Sequence, residues 1–208
     1  MKADSAEPID FWFDFLSPYG YFASTRIDAL AAQHGRSVRW RAFYMRGIMQ
    51  DKLGQTRPFL EVPLKGDYYK RDVPRMARWF GLPFKSGGLG NFISANACRA
   101  FWLIDDLDPI LAKRFAREIF EWHHVRATPP NTPEQIAQAA ANVGLDAARL
   151  DIAAAVQQAP AKERLRVETD AAVQAGVWGT PTFVVDGEMF WGADRLNLVD
   201  DWLRRGGW

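Results

Sequence analysis

The sequence is poor in cysteine: among 208 residues only Cys98 carries a thiol. With one thiol no disulfide can form within the chain, which excludes dithiol redox chemistry by this chain alone. Cys98 lies in Ala95-Asn96-Ala97-Cys98-Arg99-Ala100-Phe101-Trp102, a stretch of helical spacing where a lone cysteine packs as a small apolar residue. An excess of one charge sign is missing too. The 26 basic and 25 acidic side chains leave a net charge of +1, so no global field recruits nucleic acid or an anionic membrane, and a small-molecule partner is favoured. Long apolar runs are absent as well. Met1 to Pro8 is polar, the run that follows is broken by Asp10 and Asp14, and no later stretch is long enough to span a bilayer. These absences predict a cytoplasmic protein. Histidine is scarce, and His123-His124 has no third ligand at metal-site spacing. Adjacent side chains on a helix are expected to point apart, so no metal is assigned.

What is present is an ordered alternation of patterns. Ile9 to Phe15 alternates as a buried strand, Pro18 to His34 has helical spacing, and Ser37 to Tyr44 alternates again, giving a βαβ unit. Gly47 to Arg57 reads as a loop, and Pro58, Pro63 and Pro74 delay the next helix until about Tyr69 or Val73. Helical spacing then covers Val73–Phe80, Ser94–Asp105, Pro109–Val125, Thr132–Asn142 and Asp146–Gln158. The aromatics Trp79, Phe80, Phe101, Trp102, Phe120 and Trp122 within it are expected to be mostly core, some of them walling a substrate pocket. A helix over Ala161–Ala175 precedes Pro181–Val185 and Glu188–Trp191, two strands joined by the hairpin dipeptide Asp186-Gly187. A final helix covers Asp194–Arg205. This order predicts an α/β fold, a thioredoxin-like sheet interrupted by an all-helical insertion. The boundaries are 1–66 and 159–208 for the sheet domain and 67–158 for the insertion, which forms the substrate side.

Three segments carry chemistry. Ser17-Pro18 places a good N-cap and a good first residue at the mouth of the first helix. Taken alone this is a cap; the same position also gathers free N–H groups and the positive dipole end, which stabilise an anion such as a thiolate. Gly179-Thr180-Pro181-Thr182 places proline at the start of an apolar strand. The Thr180-Pro181 bond is either an ordinary trans bond, as base rates favour, or a cis bond that turns the Thr180 backbone outward to pair with an extended peptide. Gly192-Ala193-Asp194-Arg195 ends the last strand, and Asp194 either caps the final helix or receives the amine of an amino-acid end group.

Phe13-Asp14-Phe15-Leu16-Ser17-Pro18-Tyr19, Gly179-Thr180-Pro181-Thr182 and Trp191-Gly192-Ala193-Asp194-Arg195-Leu196 together resemble the 2-hydroxychromene-2-carboxylate isomerase family over nearly the whole chain. The kappa-class glutathione transferases are closely similar, and the resemblance implies a DsbA-like thioredoxin fold with a helical insertion. It implies that Ser17 binds and activates the thiol of glutathione, a recycled cofactor. It further implies that Thr180, beside Pro181, pairs through its backbone with the glutathione cysteine, and that Ala193 and Asp194 hold its γ-glutamyl end. In the long loop, Gly54-Gln55-Thr56-Arg57-Pro58 and Val62-Pro63-Leu64-Lys65-Gly66 resemble the family's Gly-Asn-x-Pro-Pro and Pro-x-Lys-Gly segments. Lys65 falls in register for the glycine carboxylate of glutathione or a substrate carboxylate, although a loop lysine is more often solvated. Gln55 stands where the family has asparagine, and Arg57 is a further candidate contact for a substrate carboxylate.

The resemblance implies an isomerase in aromatic catabolism: the thiolate adds to a ring-opened aromatic 2-oxo acid, a single bond rotates, and the thiolate leaves. Two other outcomes stand beside it, a transferase that releases the conjugate and a non-catalytic thioredoxin-like binding module in which Ser17 is only a cap. A homodimer is also implied.

Overall fold

The computed structural model describes residues 7–86 and 92–208, so the reading of the polar N-terminus over residues 1–6 lies outside the described residues. The sheet has four strands, β1 (Ile9–Phe13), β2 (Val38–Ala42), β3 (Thr182–Val185) and β4 (Glu188–Trp191), in the order β2-β1-β3-β4. β1 pairs parallel with β2 and antiparallel with β3, and β3 pairs antiparallel with β4. Phe11 is opposite Trp40 on one side and Phe183 on the other, so one face is continuously aromatic. Successive side chains on a strand take opposite faces. Trp12 accordingly packs on the second face with Phe43, Met45, Ile48, Ala172 and Val177. The hairpin turn residues Asp186 and Gly187 have φ of 53° and 85°, as a two-residue turn between twisted strands requires.

The helices are α1 (Pro18–Ser24), α2 (Ile27–Gln33), α3 (Met45–Asp51), α4 (Lys65–Phe80), α5 (Ala95–Asp105), α6 (Pro109–Phe120), α7 (Pro133–Asn142), α8 (Ile152–Ala155), α9 (Ala159–Gln174) and α10 (Leu196–Arg205). The α/β sheet with a helical insertion between β2 and β3 is therefore as expected, with several local differences. The first helical stretch is two helices, broken at Thr25 and Arg26. The segment read as a loop from Gly47 begins as α3, because Met45 and Ile48 supply a buried face and Thr169 Oγ1 accepts the Tyr44 N–H at 3.1 Å. Proline does not delay α4 either: the helix starts at Lys65 and carries Pro74 inside it. The carbonyl that Pro74 leaves without a donor belongs to Lys70, an exposed residue, so water can replace the lost bond. Asp146–Gln158 is mostly turns with only the short α8, and Trp79, expected in the core, is 81 % exposed. Phe101, Trp102 and Phe120 are buried as expected. No described helix is long and apolar enough to cross a membrane.

Candidate active site

β1 ends at Phe13 and α1 begins at Pro18, so four residues turn the chain at the top of the sheet. Asp14 holds this turn. Its side chain is fully buried, and its carboxylate accepts the Leu16 N–H at 2.9 Å and the Met45 N–H at 2.8 Å. Burial raises its pKa, opposed by those two N–H groups, the Ser94 hydroxyl and the nearby Arg46 charge. One carboxylate thus ties the mouth of α1 to the first turn of α3.

Ser17 is the N-cap of α1 and is 8 % exposed. Its Oγ accepts the Gly20 N–H at 3.2 Å and donates to the Thr180 carbonyl, also at 3.2 Å. The Thr180-Pro181 bond is cis. Thr180 binds the turn a second time, its Oγ1 accepting the Asp14 N–H at 3.0 Å. The structure therefore joins Ser17, Thr180 and Pro181, which stand far apart in sequence, with one difference from expectation. The Thr180 carbonyl is not free: Ser17 occupies it, while the Thr180 N–H has no partner among the described residues.

The third segment lies next to these. Gly192, with φ of 113°, donates its N–H to the Pro181 carbonyl at 2.9 Å, and the 3-10 turn Ala193–Arg195 packs against α1. Ala193 is buried, whereas Asp194 is exposed and paired with Arg195 at 2.8 Å. Asp194 caps nothing: α10 starts after Arg195 with no side-chain cap. Gly179 has a steric reason, since a Cβ there would lie 2.3 Å from the Trp191 indole nitrogen. Trp191 and Trp178, about half exposed, pack at 4.2 Å with their rings tilted by 43° beside this strand.

In the loop after α3, Gln55 is half-buried and Arg57 is exposed, as is Lys65 at the start of α4; none of the three hydrogen-bonds to Ser17. Lys65 nonetheless sits on a constrained backbone. Leu64 has φ of 65° and ψ of −49°, and the Lys65 N–H reaches back to the Pro63 carbonyl at 2.7 Å. Such a γ-turn is rare and strained in a non-glycine residue. Gly66 is required beside it, because a Cβ would lie 2.2 Å from the Leu60 carbonyl oxygen. An aromatic row leads from this loop to the site: Phe59 packs on Tyr69 at 5.0 Å and Tyr69 on Tyr19 at 5.7 Å, two residues beyond Ser17. Tyr19 itself donates to Asp72.

Two further groups lie near the mouth of α1. Cys98 is fully buried, its thiol 3.7 Å from the Phe43 carbonyl, and burial with the Asp14 charge pushes its pKa up, so it is inert packing. His123 and His124 do not point apart. They occupy a π-helical turn, Glu121–Val125, and their rings meet at 4.1 Å inside the core. His124 Nε2 lies 3.1 Å from the Phe15 carbonyl, while neither ring nitrogen of His123 has a partner among the described residues. The described residues bring no third metal-ligating side chain to the pair. Desolvation pushes the His123 pKa down to about 4 and that of His124 well below its usual value. Both rings are thus neutral in the fold but titrate near 6.5 when unfolded. Stability from this source is complete above pH 6.5 and is lost as pH falls toward 4, by about 3 kcal/mol for His123 alone. His123→Phe is expected to leave stability at pH 7.5 unchanged or higher and to flatten that acid loss; urea titrations at both ends of the pH range check it.

A family model of the DSBA-like thioredoxin domain matches residues 8–204. The chain belongs to the DSBA-like thioredoxin family. Within that family it is 27 % identical over 198 residues to the 2-hydroxychromene-2-carboxylate isomerase of Pseudomonas putida, covering 95 % of this chain and 94 % of that one. It is 25 % identical over 206 residues to glutathione S-transferase kappa 2 of Caenorhabditis elegans, covering 94 % and 91 %. A solved structure of a 2-hydroxychromene-2-carboxylate isomerase superposes with a TM-score of 0.79 at 27 % identity, over 95 % of this chain and 94 % of that chain. The chain is accordingly an enzyme of the isomerase or transferase type, and its DSBA-like site carries serine at the helix mouth.

Proposed function

We propose that the protein is a glutathione-dependent isomerase that acts on a ring-opened aromatic 2-oxo acid by reversible thiolate addition. The observation that carries this reading is the Ser17 hydroxyl, held between the first N–H groups of α1 and the Thr180 carbonyl at 3.2 Å. That bond can be exchanged. When an extended glutathione lies along Gly179-Thr180-Pro181, its cysteine N–H takes the Thr180 carbonyl and its carbonyl takes the free Thr180 N–H. The Ser17 O–H is then released to the glutathione sulfur. A hydroxyl donor plus the positive end of a helix lowers a thiol pKa from about 8.5, which raises the thiolate fraction at neutral pH. Ala193 and Asp194 receive the γ-glutamyl end, Asp194 by releasing Arg195.

The electrophile approaches from the insertion side. The row Phe59, Tyr69 and Tyr19 is proposed to wall its ring, with Lys65, Arg57 and Gln55 at its carboxylate or at the glycine end of glutathione. The thiolate adds to the conjugated carbon and the electron pair moves toward the 2-oxo oxygen. The former double bond rotates, the pair returns, and the thiolate leaves without net consumption. The protein's part is thiolate stabilisation, orientation and charge complementarity. A cytoplasmic location and a homodimer belong to the same proposal.

A transferase is the second reading, favoured by the kappa-class relative. Glutathione in trace amount separates the two. Complete conversion of the aromatic acid with glutathione undiminished is expected; loss of one glutathione per product assigns the transferase. A purely binding role predicts neither.

A further inference from the structure

A second cluster of polar groups lies outside the residues proposed for glutathione. Between α3, α5 and α9 is a cleft of about 270 Å³. Ile48 and Leu165 give it an apolar floor, and Tyr44, Arg99 and Lys162 line its polar side. Arg99 is the unusual member. Its guanidinium is half-buried and donates only to the Asn96 side chain at 2.9 Å and the Val156 carbonyl at 3.3 Å. Its Nε is buried without a partner among the described residues, and no described carboxylate lies within 4 Å. Arg41 also has a buried Nε outside any hydrogen bond among the described residues, but its guanidinium and that of Arg164 pair with Glu168, and Arg166 on the cleft wall pairs with Glu163 and Asp170.

Lys162 and Lys52, also on the cleft, have no ion-pair partner among the described residues, against one unpaired carboxylate on the wall, Asp51. The local surplus is therefore positive. The Tyr44 hydroxyl makes no hydrogen bond among the described residues; burial, with the Asp14 charge, raises its pKa against the opposing charges of Arg46 and Arg99, so it stays a protonated donor. A half-buried cation with one donor unmet and no carboxylate beside it carries a desolvation cost that an anionic ligand relieves. We propose that this cleft is a binding site for a small carboxylate with an apolar body, its carboxylate on Arg99 and the Tyr44 hydroxyl and its body between Ile48 and Leu165. Cleft volume and lining suit a single-ring acid. The site is independent of the glutathione reading, since it contains none of Ser17, Thr180, Asp194 and Lys65.

The test uses cinnamate and its uncharged analogue cinnamide, titrated into the full chain and followed by calorimetry and by methyl NMR of Ile48 and Leu165. Cinnamate is expected to shift those methyls and to bind at least tenfold more tightly than cinnamide. Arg99→Met is expected to remove that preference, and the exposed Lys162→Ala to weaken cinnamate about threefold. Saturating glutathione and the Ser17→Ala variant are both expected to leave cinnamate binding in place. If Arg99→Met does not fold, the Lys162→Ala titration and the methyl shifts decide. The proposal is overturned if cinnamate and cinnamide bind alike, if the Ile48 and Leu165 methyls do not move, if folded Arg99→Met binds as the parent does, or if glutathione displaces cinnamate.

Discussion

Ser17→Ala is expected to lower glutathione-dependent turnover by about 10²–10³-fold, the loss typical when one donor to a developing or bound anion is removed. The same change removes the cap on the Gly20 N–H, which by itself costs about 0.5–2 kcal/mol of stability. Ser17→Asp separates the two roles. Aspartate keeps the cap on the Gly20 N–H but loses the bond to the Thr180 carbonyl, so its melting temperature is expected to lie at or above that of Ser17→Ala, while its charge repels a thiolate and turnover falls at least as far as in Ser17→Ala. Paired measurements of melting temperature and turnover check this. A variant that recovers both stability and turnover would reduce Ser17 to a cap.

Asp14→Ala is expected to be the most damaging single change to the fold near the site. It leaves the Leu16 and Met45 N–H groups without their acceptor in a fully buried corner. Two unpaired buried donors cost about 2–5 kcal/mol together. For a chain of this size that corresponds to a melting temperature lower by about 5–15 °C. Asp14→Asn keeps one acceptor and should fall between. The second consequence is positional: without Asp14 the mouth of α1 is no longer tied to α3, so glutathione affinity should fall even where Ser17 is intact. Urea denaturation and glutathione calorimetry on the three proteins measure both effects, and a loss below about 0.5 kcal/mol would contradict the assignment.

The sequence made the sheet legible because its signals are local. Ile9–Phe13 and Val38–Ala42 alternate, and Asp186-Gly187 has the turn chemistry of a two-residue hairpin. Ser17-Pro18 marked the helix mouth for the same reason, and its cap bond is present. What was not legible depends on distant partners. α3 forms under a run with glycine and polar residues because Thr169, far along the chain, holds its start. Trp79 has helical spacing among core residues, yet no described residue covers its face of α4. The histidine rings meet because the helix widens into a π turn there, which spacing does not encode.

The candidate site divides along the same line. Ser17, Thr180 and Pro181 stand out in the sequence as candidates by type and position, but the hydrogen bond between Ser17 and the Thr180 carbonyl is visible only in the fold. Asp14 reads in the sequence as a polar interruption of an aromatic strand. Its signal was present all the same: an acid inside Phe13-Asp14-Phe15, flanked by core aromatics, has to find buried donors or unfold the turn. Strain at Leu64 had no sequence signal, since leucine gives no warning of a positive φ.

The central claim is that the nucleophile at this site is a sulfur brought by another molecule. A crystal soaked with reduced glutathione tests it most directly. The account predicts the tripeptide extended along Gly179-Thr180-Pro181, its sulfur within hydrogen-bond distance of Ser17 Oγ, and the Ser17 hydroxyl withdrawn from the Thr180 carbonyl. A glutathione-saturated crystal in which Ser17 still donates to Thr180 and the sulfur lies elsewhere would contradict it.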